Sequence, residues 1–244
     1  MPLARSLAAV AALVVLAGCQ SGTAPAPSPT VAPSPHAARA RKFDMGGDGE
    51  VRKPQPYTLE QRLLEAVRQN DRASITRAVE LGAALTSKDD LARSTVLLAT
   101  LDAGDLELVR WLHEQGVPLD EPDAGGRTAL SFAADTGRLP IVQYLLEQGA
   151  AVDSRDVQQR TPLLHAAGAD HPDVIAFLLD HHADVNARDQ FGDTPLIVAC
   201  GKGNVASATL LIARGADATV ADQEGRTAKQ RSAPEAAPCL ALPR

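Results

Sequence analysis

Four histidines, His165, His171, His181 and His182, fall within eighteen residues, and Asp170, Asp173 and Asp180 lie among them. Imidazole nitrogens and carboxylate oxygens are zinc ligands, so the cluster would hold a metal if its members converged. The histidines lack the tight ligand spacing of such a site, which argues against one. The three cysteines, Cys19, Cys200 and Cys239, form no CxxC and no paired Cys/His spacing, so a structural zinc site is not expected. No glycine-rich phosphate loop, GxGxxG, nucleophile elbow or metalloprotease helix occurs. The reading is therefore no enzyme, no catalytic residue, no metal and no cofactor.

Composition narrows the class. The 244 residues are 45% hydrophobic but only 3% aromatic, so a core must be built mostly from Ala, Leu and Val. Such chains favour helix over strand. The formal charge of -6 argues against a general nucleic-acid binder, which carries a basic surface.

The chemistry-bearing residues gain meaning from a period of 33. Aligned on Thr128, Thr161 and Thr194, the segments read GRTALSFAADTGRLPIVQYLLEQGA, QRTPLLHAAGADHPDVIAFLLDHHA and GDTPLIVACGKGNVASATLLIARGA. Thr95 and Thr227 continue the spacing, as do Asp90, Asp123, Asp156, Asp189 and Asp222. Gly116, Gly149, His182 and Gly215 keep the same interval. Thr161 and Thr194 suit helix N-caps, with Pro162 and Pro195 at the first helical position. Leu130, Leu163 and Leu196 face the core, and Ala133, Ala134, Ala166, Ala167 and Ala199 allow close helix contact. Val109/Leu112, Val142/Leu145 and Ile175/Leu178 mark one face of a second helix. Gly104, Gly137 and Gly203 break the chain between the helices, and Asp170 holds that slot in one unit. His182 holds a glycine's slot at a helix exit and must accept a strained backbone if φ is positive there. His165 shares its slot with Ala99, Phe132 and Val198, which predicts a satisfied core histidine.

This pattern resembles the ankyrin repeat, in which a turn, two short helices and a Gly-Ala exit recur. The resemblance covers roughly residues 58 to 232. It implies an all-α solenoid of helix-turn-helix units with β-turn fingers: about four full repeats between degenerate caps. The expected layout is an N-terminal cap at 58–90 and repeats at 90–122, 123–155, 156–188 and 189–221. A truncated C-terminal cap and tail follow at 222–244. Cys200 falls in a buried slot and Cys239 in the tail; they are either a disulfide pinning that tail or two separate thiols.

Cys19 fits no repeat slot. Leu7 to Ala17 is an apolar run of eleven residues behind Arg5. A membrane span needs about 20 residues, so the run reads as the h-region of a signal peptide. Its end, Leu16-Ala17-Gly18-Cys19, resembles the lipobox of bacterial lipoproteins. That resemblance implies a signal peptide at 1–18 and lipidation, with diacylglycerol and palmitate, at Cys19. Gln20 leans towards the outer membrane, facing the periplasm, by the same resemblance. Residues 19–57 are Pro-rich, poor in large apolar side chains and without helical period, and read as a disordered tether.

In ankyrin proteins, ligands lie on the concave face made by turn tips and first helices. By position the resemblance assigns Arg127, Asp135, Arg155, Gln158 and Arg160 to that face. It adds Arg188, Gln190, Phe191, Asp193 and Lys202. Phe191 is an aromatic at a turn tip, and aromatics and Arg are common interface anchors. Five cations stand against two acids in this set, while the second helices carry Glu107, Glu114, Glu147, Asp173 and Asp180. The expectation is a basic concave face for an acidic protein partner, on a chain that is monomeric when unbound and meets the membrane only through its lipid. Similar periplasmic ankyrin proteins support a partner enzyme, including catalase-type defence, or act as immunity proteins. A small-molecule or metal receptor is the alternative.

Overall fold

The structure is a computed structural model that describes residues 57–89, 94, 99, 104–234, 239 and 241. The signal segment, Cys19, nearly all of the tether, and Asp90, Thr95, Leu97 and Leu101 of the 90–122 unit lie outside the described residues. The described elements all belong to the unit Gln55–Arg244.

Short helices form because each unit carries a cap, a brief apolar stripe and a breaker. The first helices are α1 (Leu59–Arg68), α4 (Ala129–Asp135), α6 (Pro162–Ala169), α8 (Pro195–Lys202) and the short α10 (Ala228–Arg231). The second helices are α2 (Arg72–Glu80), α3 (Leu106–Glu114), α5 (Leu139–Glu147), α7 (Pro172–Asp180) and α9 (Val205–Ala213). Among the described residues the only β pairing is two isolated bridges, Lys88 with Ser94 and Ala221 with Thr227. The architecture is thus an all-α array of helix-turn-helix units.

The caps follow the sequence. The Thr161 hydroxyl accepts from the N–H of Leu164 at 3.4 Å and that of Thr194 from Ile197 at 3.3 Å. Pro162 and Pro195 open their helices, where a missing N–H costs nothing. Thr58 and Gln61 cap α1 reciprocally, at 3.0 and 3.2 Å.

The core is the shared interface between units. Leu130, Leu163, Val109, Leu112, Val142, Leu145, Ile175 and Leu178 are fully buried, and Leu196 almost so. A Leu-to-Ala change at such a site costs about 2–5 kcal/mol. The alanines Ala133, Ala134, Ala166, Ala167 and Ala199 are also fully buried. With no bulk beyond Cβ they let α4, α6, α8 and α10 stack closely. The second helices meet through larger groups, Trp111, Tyr144, Phe177 and Leu210, and stack less closely. Layers are therefore thinner on the first-helix side, the side from which the fingers rise.

His182 does take positive φ, at 67°. So do Gln159 at 61° and Asp170 at 60°, each in a slot that glycine fills in the neighbouring units. The unit 156–188 thus concentrates the left-handed non-glycine residues.

Candidate partner-binding face

Each finger is built around its repeated aspartate. Asp156 Oδ1 accepts from the N–H groups of Gln158 and Arg160, at 2.8 and 2.9 Å. Asp123, Asp189 and Asp222 clamp the N–H groups two and four residues on in the same way, at 2.8 to 3.0 Å. A carboxylate with two backbone donors holds the turn closed, as an Asx turn does. Fingers are then joined in series. Val157 N–H donates to Gly125 O, Gln190 to Gln158 and Gln223 to Phe191, at 2.8 to 2.9 Å. Backbone groups are spent on this ladder, so the tip side chains are left to face outwards. Val157 is 65% and Phe191 51% exposed.

The expected face residues divide into distinct environments. Arg155 donates to the carbonyls of Gln159 and Arg188, at 3.1 and 2.9 Å, and Arg188 donates to those of Gly192 and Ala221, at 3.2 and 2.7 Å. Lys202 donates to Gly168 O at 2.8 Å, on the last turn of α6. These cations tie one unit to the next, and none of them forms a salt bridge with a described residue, although the Asp153 carboxylate feels the charge of Arg155. Arg127 lies over the Phe132 ring, 3.6 Å from its centroid, with Asp123 at 3.8 Å. Asp135 is partly exposed, 3.9 Å from His165 Nδ1. Gln158 and Gln190 are exposed at the tips. Asp193 differs from its expected place on the surface. It is buried, with Arg231 donating to it at 3.4 Å.

His165 is buried and its Nε2 lies 3.0 Å from Asp156 Oδ2. Burial holds its pKa below 6.5, although Asp135 and Asp156 pull the other way. The ring is therefore neutral near pH 7, with Nε2–H donating to the carboxylate. The other histidines serve local contacts: His171 Nε2 lies 3.2 Å from Asp135 O, and the His181 ring lies 4.2 Å from that of Phe177. Among the described residues no group of three or more His, Cys, Asp or Glu is placed to hold a metal ion. Cys200 and Cys239, both fully buried, are joined as a disulfide, with Cα atoms 5.8 Å apart.

Arg160, Phe191 and Asp193 come together at a cleft of about 420 Å³ between the last two fingers. Its far wall is Asp222, already marked by the period of 33, with Glu224, Arg226 and Arg231, which the sequence reading did not single out. Burial alone would raise the Asp222 carboxyl. The Arg226 N–H and the guanidinium groups of Arg231 and Arg226 outweigh it and bring the pKa down to about 2. Asp193 moves the other way: burial raises it and Asp189 and Asp222 add to the rise, against Arg231. Arg226 was legible, since it continues the finger slot of Arg127 and Arg160 at a spacing of 33. Arg231 was not, because its slot is filled by Phe132, His165 and Val198 elsewhere.

Paired helices in a 33-residue period, fingers clamped by aspartate and a side-chain-bearing finger edge define a helical repeat array that presents a surface rather than an enclosed active site. A family model of ankyrin repeats, in 3 copies, matches residues 63–156 and 152–222, and the chain belongs to the ankyrin-repeat family. No curated protein matches it. Ankyrin repeats mark a module for binding another protein.

Proposed function

We propose that this chain is a lipid-anchored bacterial protein that faces the periplasm and binds one partner protein through its fingers and first helices. The role is stoichiometric recognition, not catalysis. The observation that carries it is Phe191, a half-exposed aromatic on a finger whose backbone is already locked into the ladder. Exposing such a ring to water serves no folding purpose, and aromatics beside arginines are the usual anchors of interfaces. Arg155, Arg188 and Lys202, which bond backbone carbonyls rather than carboxylates, favour an acidic partner surface. A partner enzyme that the chain supports or neutralises fits this role, and the chain is monomeric until it meets it.

The anchoring half of the proposal rests on Leu16-Ala17-Gly18-Cys19 after a run too short to span a bilayer. Palmitate labelling should be lost in Cys19→Ala; retained labelling refutes lipidation there. A photo-crosslinking residue at position 191 in living cells should capture a partner that the same residue at Glu147, on a second helix, does not. Equal capture from both positions, or none from 191, overturns the assignment of the face.

A further inference from the structure

We propose that the cleft between the last two fingers is a docking subsite for an acidic side chain standing next to an apolar one on a loop of the partner protein. Arg160 receives the carboxylate and Phe191 the apolar group. This deepens the interaction reading above and rests on it.

The evidence is a missing donor. Each of the described finger aspartates, Asp123, Asp156, Asp189 and Asp222, uses Oδ1 on its own turn, which leaves Oδ2 to be satisfied by a side chain. Asp156 has His165 at 3.0 Å. Asp222 has Arg231 and Arg226, at 2.8 and 3.0 Å. Asp123 has only a long ion pair, Arg127 at 3.8 Å, but its Oδ2, unlike that of Asp189, is not among the buried atoms left without a hydrogen-bond partner. In the unit of Asp189 the equivalent slots hold Asp193 and Val198, and neither can donate. Arg160 reaches across from the preceding finger, but its Nε stops 3.6 Å from Asp189 Oδ2, beyond hydrogen-bond reach. Both atoms are buried without a hydrogen-bond partner. The Arg160 guanidinium makes no hydrogen bond to any described residue, although 38% of its side chain is exposed.

The other cations of the cleft are spent. Arg226 bonds Asp222 and pairs with Glu224 at 2.6 Å, and Arg231 bonds Asp222 and Asp193. The acids Asp193, Asp222 and Glu224 are thereby occupied; Arg160 pairs with Asp189 only through its buried Nε, at 3.6 Å, and its two Nη groups remain without a hydrogen bond to any described residue. A carboxylate meets a guanidinium fork through two parallel N–H···O bonds. Phe191 borders the same cleft. A free inorganic anion would use Arg160 and leave that ring in water, whereas a side-chain pair covers both.

Two capped peptides test this: acetyl-Leu-Asp-Leu-amide and its Asn counterpart, titrated into the isotope-labelled full chain by NMR. The Asp peptide should shift the Arg160 Nε–H and Phe191 N–H resonances and saturate. The Asn peptide, and Arg160→Lys with the Asp peptide, should bind about tenfold more weakly. Phe191→Ser should weaken the Asp peptide while leaving the melting temperature unchanged. Arg160→Lys keeps a positive charge beside Asp189, and its thermal melt reports whether the fold survives. No shift, equal affinity for both peptides, or unchanged affinity in both variants overturns the subsite. Sodium acetate matching the peptide's affinity also overturns it, since the site would then take a bare anion. If position 191 still captures a partner while the peptides fail, the subsite falls and the interaction reading stands. If no partner is captured while the Asp peptide binds, the interaction reading falls instead.

Discussion

Asp170 caps a helix that belongs to the next repeat. Its Oδ1 accepts from the N–H of Ser207 at 3.1 Å and from the Ser207 hydroxyl at 2.7 Å. Ser207 is the third residue of α9, and the helix's own N-cap, Asn204, turns back to donate to Ala167 O at 2.8 Å. The two units thus exchange caps. This explains why an aspartate sits at φ 60° in a slot that glycine fills in the adjacent units.

Replacing Asp170 should expose that exchange. Asp170→Ala keeps the positive φ and loses the cap, for a cost of about 2 kcal/mol. Asp170→Asn keeps an acceptor and tolerates the left-handed backbone, so its cost should stay below about 1 kcal/mol. Urea denaturation of the two variants checks the order.

The same unit holds two left-handed residues with no compensating side-chain bond, Gln159 and His182. His182→Gly and Gln159→Gly should each stabilise the chain by about 0.5–1 kcal/mol, since the relief of strain exceeds the added freedom of the unfolded chain. Asp170→Gly should not, because it gains the backbone relief but loses the Ser207 cap. A melting comparison of the three variants separates strain from capping.

His165 should make stability depend on pH. Its folded pKa lies below 6.5, so the unfolded chain takes the proton first. The contribution of the neutral ring is complete above the unfolded pKa and is lost as pH falls below it, until the folded ring also titrates. His165→Gln keeps an N–H donor for Asp156 and does not titrate. The variant should lose less stability than the wild type between about pH 7.5 and about pH 5.5. Parallel losses in the two proteins would refute this.

The disulfide should matter most at the C-terminal end. It closes a loop with a sequence separation of 39, for which the chain-entropy account gives about 3–4 kcal/mol. In the last unit the short α10 is followed by Ala233, whose N–H bonds Cys200 O at 2.9 Å and so holds the residues just after α10 against α8. Reduction, or Cys239→Ser, should lower the denaturation midpoint and make residues after 231 the first site of proteolysis. Unchanged protection of that segment would remove the disulfide's role.

The helical array was legible because stacked units must repeat their buried groups. Thr161, Pro162, Leu163 and their counterparts write that demand into hydropathy and turn chemistry. The finger aspartates were visible as a spacing but not as a device, since a carboxylate holding backbone N–H groups leaves no mark on hydropathy. Arg155 and Arg188 illustrate a second limit. Position puts them on the finger side, but it is the folded stack that brings the carbonyls of Arg188 and Ala221 within their reach. Arg231 was hidden because the equivalent slot holds Phe132, His165 and Val198, so the repeat pattern predicts no guanidinium there.

The finger ladder also separates foldability from vocabulary. At Val157, Gln158, Gln190 and Phe191 the backbone does the structural work, while no hydrogen bond to a described residue uses their side chains. Those positions can be rewritten without disturbing the stack. A lineage could therefore change the molecule it greets by exchanging a few letters at the fingertips, and a designer could retarget it by the same substitutions.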